Sequence, residues 1–268
     1  MRSYSAIIYH SWRRALGIRR KWTSKILPII LYSAAFIPVI GFISVPAIIG
    51  IDGFRFEPSE LFSTISLILL VFAAAASPEM LCDDRRENVL PLYYSRGMSR
   101  WDYLAAKLLA LGGIMLSVSL FPALLLHLGN SFLQDQPFRY LSSNWDEILK
   151  ILAAALMLAL FYSAIGLAVA SMTERKGIAS AIVIGIFLAG SAIANGLYEA
   201  IEQSWSFVFA LVSPMDIPDG ILLLVFGEAS SGSLPDRADV DGPWFLLSVF
   251  GFVCFSGILL YRRYLRED

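Results

Sequence analysis

The chain has 268 residues, 57% of them hydrophobic and only 16% charged, with a mean hydropathy of +0.66. That is too apolar for a soluble globular domain of this size, so the composition places the protein in a bilayer. Its formal net charge of −1 gives no reason to expect a nucleic-acid partner. The two cysteines, Cys82 and Cys254, supply neither a disulfide framework nor a metal site and read as small buried residues.

In chain order, Tyr4, Ile7, Ile8, Trp12, Ala15 and Leu16 recur at helical spacing, with Arg13, Arg14, Arg20 and Lys21 largely off that stripe. The pattern predicts an interfacial helix within residues 1–25, its apolar face among headgroups and its cations on anionic lipid. An ordinary basic flank that only sets topology is the simpler alternative. A bilayer core of about 30 Å takes roughly 20 apolar residues as a helix. Runs of that kind recur at 26–50, 60–81, 108–129, 148–172, 178–198 and 244–261, which gives six spans. The first run is too long for the apolar part of a cleaved signal and lacks a small-residue cleavage site, so it is expected to stay in place. Pro28, Pro38 and Pro46 remove backbone donors from it, which predicts a helix bent or broken near its far end.

Seventeen of the 21 Lys and Arg residues fall on one side of these spans, at 1–25, 82–107, 173–177 and 262–268. Only Arg55, Arg139, Lys150 and Arg237 lie on the other side, so both termini are expected in the cytoplasm. The second span carries the small residues 73–77 before Pro78, and the third ends near His127, which reads as an interfacial hydrogen-bonding group. Ala155, Ala159 and Ser163 on span four, and Gly177, Ala181, Gly185 and Ala189 on span five, form stripes that admit a close neighbour. Static packing is the simpler role for both, and an interface that slides during a transport cycle is the functional one. The outer segment 195–243 contains WSFVFALVSPMDIPDGILLLVFG at 205–227. Pro214 and Pro218, with Asp216 and Asp219, divide it into two pieces too short to span, and two helices dipping into the outer leaflet are expected. A further pair of true spans would set those carboxylates at the bilayer centre, at substantial cost.

The long charged stretch between apolar runs is 82–107, CDDRRENVLPLYYSRGMSRWDYLAAK. Five cations and four acids bracket an apolar, aromatic middle from Val89 to Tyr94, a surface suited to docking. No motor is visible in the chain. None of the five lysines is followed by Ser or Thr, as a phosphate-binding loop requires. No Asp, Glu, Lys or Arg falls well inside a span, which disfavours ion coupling. The lack of HExxH, of paired intramembrane aspartates and of a Cys/His pair argues against a membrane protease or acyltransferase, and the chain is expected not to be an enzyme. A passive pathway driven by a partner remains.

The order DDRRENVLPLYYSRGMSRWDYLAAKLLA resembles the first cytoplasmic loop of type-2 ABC transporter permeases. In that family an acidic–basic start, a short Leu-centred helix, a Ser-Arg turn and a Lys opening the third span recur. The resemblance implies a single all-α polytopic membrane domain over 1–268. Its parts would be six spans, an N-terminal interfacial helix, a cytoplasmic coupling helix and broken outer-leaflet helices between spans five and six. It further implies docking on a separate cytoplasmic ABC ATPase subunit through Asp84, Arg85, Arg86, Leu90, Tyr93, Arg96, Ser99 and Arg100. ATP and Mg would be held by that partner, with no cofactor in this chain. Asn88-Val89, where Gly-Thr is common, and Pro91 inside the coupling helix depart from the family pattern.

A second permease chain, as homodimer or heterodimer, would complete the assembly in the bacterial cytoplasmic membrane. The path would run along the dimer interface, with Tyr32, Ser33, Ser63, Ser66 and Asn195 as polar candidates. So apolar a lining suits export of a lipid, a hydrophobic peptide or an amphipathic drug. Two other readings stay open. One is an ATPase-coupled complex that transmits force to an outer-side partner without transport, for which a large outer domain is the expected mark. The other is an integral membrane enzyme or sensor.

Overall fold

The computed structural model describes residues 2–16, 23–49, 56–87, 89, 91, 95, 99–134, 136–201 and 206–264, and every regular element among them is helical. In order these are α1 (Arg2–Ala15), α2 (Thr23–Ile49), α3 (Pro58–Arg86), α4 (Arg100–Phe132), α5 (Pro137–Ser143) and α6 (Trp145–Met172). There follow α7 (Lys176–Ala200), α8 (Val208–Val212), α9 (Ile217–Phe226), α10 (Leu234–Arg237) and α11 (Gly242–Tyr264). Six of them, α2, α3, α4, α6, α7 and α11, are long and apolar enough to cross a membrane.

The spans α3, α4 and α6 pack on one another and form the centre, with α2 against α3 and α4, α7 against α3 and α6, and α11 against α6 and α9. Burial follows this order: 72% of the most apolar stretch of α6 is buried, against 22% for α2 and α7 and 17% for α11. Lipid tails are as apolar as leucine, so the helices associate through close contact rather than through escape from water. Small residues make that contact: a β-carbon at Gly166 of α6 would meet Ser77 of α3 at 3.1 Å, and one at Gly112 of α4 would meet Ser163 of α6 at 3.6 Å. Phe161 and Tyr162 of α6 extend the core outward. Tyr162 stacks on Phe187 of α7 at 5.5 Å, and Phe161 meets Phe252 of α11 edge-on at 5.8 Å.

Several expectations change in detail. α2 runs unbroken through Pro28, Pro38 and Pro46, because a membrane helix leaves the freed carbonyls to neighbouring groups. The charged stretch 82–107 is helical at both ends: α3 continues to Arg86 and α4 begins at Arg100. The start of α4 is fixed by a capping box. Asp102 N–H donates to Ser99 Oγ at 3.1 Å, and Ser99 N–H donates to Asp102 Oδ2 at 3.3 Å. With 33 residues, α4 is about 50 Å long, against a hydrocarbon core of about 30 Å, so its first turns reach past the apolar slab.

On the N-terminal side, α1 lies on α4 and α3. Trp12 Nε1 donates to Ala110 O at 2.7 Å, and a β-carbon at Gly113 would lie 2.9 Å from the Trp12 ring. Residues 17–22, which end the amphipathic pattern, lie outside the described residues. Between spans five and six the expected pair of short helices is α8 and α9, and α10 follows.

Candidate coupling site

The last turns of α3 carry Glu79, Asp83, Asp84 and Arg85, and their side chains reach three different helices. We call this end of the bundle, at the α3–α4 connection, the base. Asp84 and Lys107 of α4 form an ion pair at 2.7 Å with side chains 1% and 4% exposed, and Tyr103 OH donates to the same carboxylate at 2.9 Å. Lys176, the first residue of α7, bridges Asp83 at 2.7 Å and Glu79 at 2.9 Å. Arg85 donates to Ser171 O near the end of α6 and lies 3.5 Å from Glu174. Cys82 Sγ donates to Thr173 O at 3.2 Å. Arg100, opening α4, donates to Tyr264 O at the end of α11 at 3.0 Å. Buried charges are tolerated here because each is paired and hydrogen-bonded, which offsets their desolvation. Five helix ends thus meet in one polar lattice, and a displacement of the α3–α4 connection reaches α6, α7 and α11 as well.

The eight residues expected to touch a partner separate into groups. Asp84 is buried and held by Lys107 and Tyr103, so its side chain acts inside the bundle and not on the surface. Arg85 is likewise largely buried, at 12% exposure. Ser99 caps α4, and Arg100 is tied to α11. Arg86 stays on the surface, its side chain 63% exposed and 3.2 Å from Asp83. Leu90, Tyr93 and Arg96 lie outside the described residues. Within the connection, Ser95 N–H donates to Pro91 O at 2.9 Å.

The path candidates do not converge. Tyr32 of α2 bonds to Ser117 of α4, Ser33 is exposed, and Ser66 is buried and donates to Phe62 O at 2.8 Å. Ser63 and Asn195 lie at the far end, opposite the base, where Ser63 donates to Asp219 Oδ1 at 3.3 Å and Asn195 Nδ2 to Ser191 O at 3.0 Å. The two small-residue stripes part company. Ala155, Ala159 and Ser163 are buried in the bundle, whereas Gly177, Ala181, Gly185 and Ala189 all lie on the exposed face of α7. The face of α7 that packs is Ala179, Val183 and Phe187, together with Ser180, which donates to Ala74 O of α3 at 2.7 Å.

Sequence reasoning missed most partners in the lattice. Glu79 and Asp83 stand four residues apart at the end of an apolar run, and Lys107 and Lys176 open the next two rising spans. That placement of isolated charge was the available signal. It named His127 of α4 as a hydrogen-bonding group but not its partner, Glu147 of α6; both are buried, with Nδ1 and Oε2 2.9 Å apart. Among the described residues no group of His, Cys, Asp or Glu could hold a metal ion. Cys82 is buried as expected, but Cys254 is exposed on the outer face of α11.

Six membrane-length helices around a charged base, with short apolar helices at the far end, define an all-α multi-pass membrane protein. The family model for ABC-2 family transporter proteins matches residues 6–212, so the chain belongs to that family. The match runs from α1 to the end of α8, leaving α9, α10 and α11 beyond it. No curated protein matches the chain.

Proposed function

We propose that this chain, as an ABC transporter permease subunit, exports a hydrophobic or amphipathic substrate and is driven by a separate ATPase chain that docks on the α3–α4 connection. The observation that carries this reading is the lattice at the base. ATP-driven closure of a partner would push on the segment between Arg86 and Ser99. The Asp84–Lys107 and Lys176–Asp83 pairs, at 2.7 Å each, would pass that push to α4 and α7 together. Apolar residues in the middle of the connection supply the anchor, and exposed Arg86 sets register and encounter. ATP and Mg belong to the partner. A second permease chain completes the path, both termini face the cytoplasm, and the membrane is the bacterial cytoplasmic one.

Co-purification tests this. The chain is expressed with its candidate ATPase, and wild type is compared with Leu90→Asp combined with Arg96→Glu. The complex is expected to be lost while the variant stays folded in detergent. An unchanged complex means that the partner docks elsewhere.

A further inference from the structure

α8 and α11 leave a gap between them. A cavity of about 440 Å³ lies there, lined by Leu211 and Val212 of α8 and by Trp244, Ser248, Gly251 and Phe255 of α11. Small side chains make it deep. Ser248 and Gly251 stand one helical turn apart on the same face, and a β-carbon at Gly251 would meet nothing within 4 Å. Larger ones form its rims, where Val212 and Phe255 are both exposed.

The cavity opens at a depth where hydrocarbon is the surroundings. α11 starts at the far end with Gly242 and finishes at the base with Tyr264, so Trp244 stands at the membrane boundary, a level that suits an indole ring. From Trp244 to Phe255 the helix rises about 17 Å, close to the ~15 Å of hydrocarbon in one leaflet. Water is poorly held in such a place. Ser248 and Trp244 alone among the lining residues carry a polar side-chain atom, whereas an ordered water needs several polar partners. A gap left empty would forfeit the dispersion contacts of its walls, and a chain of methylenes restores them.

The turn that leads into Trp244 is acidic. Asp236, Asp239 and Asp241 are exposed there, and the cation among them, Arg237, is drawn to Glu199 at 3.4 Å. Trp244 N–H donates to Asp241 O at 3.2 Å, which keeps Asp241 at the head of the cavity. A headgroup of net negative charge would be repelled at this turn. An ammonium group would be attracted by the carboxylates and by the neighbouring indole ring.

We propose that the groove between α8 and α11 binds one phospholipid of the far-end leaflet, with an acyl chain in the cavity and an ammonium-bearing headgroup at Asp241. The bound chain extends the packing of α8, a helix of five residues, along α11. The site does not depend on what drives transport.

The test uses the full chain in mild detergent with equimolar phosphatidylethanolamine and phosphatidylglycerol, and native mass spectrometry counts the lipid retained. Wild type is compared with Gly251→Leu, which fills the cavity without a clash, and with Gly257→Leu, at another open position of α11 outside the cavity. Leucine favours a helix over glycine, so neither change threatens α11. Wild type and Gly257→Leu are expected to keep one phosphatidylethanolamine per chain, and Gly251→Leu to lose it. Equal retention by the two variants overturns the site, and equal retention of phosphatidylglycerol by wild type overturns the headgroup assignment. A second copy of the chain held by wild type in place of lipid, and released by Gly251→Leu, would make the groove an interface between copies. Where detergent strips wild type as well, nanodiscs decide. Quenching of Trp244 by phosphatidylethanolamine brominated on its chains, read as wild type minus Trp244→Phe, is expected to saturate at a low brominated fraction. Quenching that rises in proportion to that fraction overturns the proposal.

Discussion

At the base, helix ends are joined by buried ion pairs such as Asp84–Lys107 at 2.7 Å, while at the far end α9 is joined to α3 by two serine–carboxylate bonds of 3.3 Å beside a cavity. The same bundle therefore has one end where separation exposes unpaired charge and one where water can take over a lost bond.

The sharpest way to break this contrast is Lys107→Met, which leaves Asp84 buried without its cation. It is expected to cost about 3–5 kcal/mol, read as a fall in thermal midpoint in detergent, and adding Asp84→Asn should recover most of it. A midpoint unchanged by Lys107→Met would mean that the base is not held by charge. Next in size is Gly220→Ala at the far end, where the new methyl would stand 2.0 Å from the Phe245 ring. A loss of about 1–3 kcal/mol is expected, and Phe245→Leu in the same chain should relieve it. Were Gly220→Ala silent, the closeness of α9 to α11 would be in question.

Asp219 offers a pH test of the α3–α9 contact. Burial, opposed by the bond from Ser63, pushes its carboxyl up from 3.8 to about 6. The folded chain thus holds this proton more tightly than the unfolded one, so stability falls as pH rises from about 4 to about 6 and stays reduced above. Asp219→Asn, which cannot ionise and keeps an acceptor for Ser63, should raise the midpoint at pH 8 and leave it alone at pH 3.5. An equal gain at both pH values would assign the effect to packing. The smallest expected effect belongs to Ser99→Ala, which removes the cap of α4 and should cost about 1 kcal/mol without weakening the buried pairs. A loss as large as that of Lys107→Met would make the cap part of the lattice.

The spans were legible because length and apolarity are what a bilayer selects, and the pair of short helices was legible because Pro214, Pro218 and two aspartates forbid a crossing. Helix rotation was not. A span that faces lipid on one side and protein on the other is apolar all round, so periodicity does not mark its buried face. Gly177, Ala181, Gly185 and Ala189 therefore read as a packing stripe, while Ala179, Val183 and Phe187 make the contact. The charged stretch read as a docking surface, and the bonds that tie its ends into the bundle were not legible. Asp84 finds its cation at residue 107, and Asp83, beside Arg86 on its own helix, finds a second one at residue 176; pairing over such long separations leaves no local spacing to recognise.

The Lys176 bridge also bears on how the chain enters the bilayer during synthesis. Glu79 and Asp83 arrive with α3, and Lys107 follows soon after to meet Asp84. The cation that joins Glu79 and Asp83 stands at the start of α7, with α4, α5 and α6 made in between. Asp83 already has Arg86 of its own helix beside it at 3.2 Å, and Lys176 adds the link to a later span. The fifth span, mostly uncovered, thus gains its charged tie to α3 only once α4, α5 and α6 have been made.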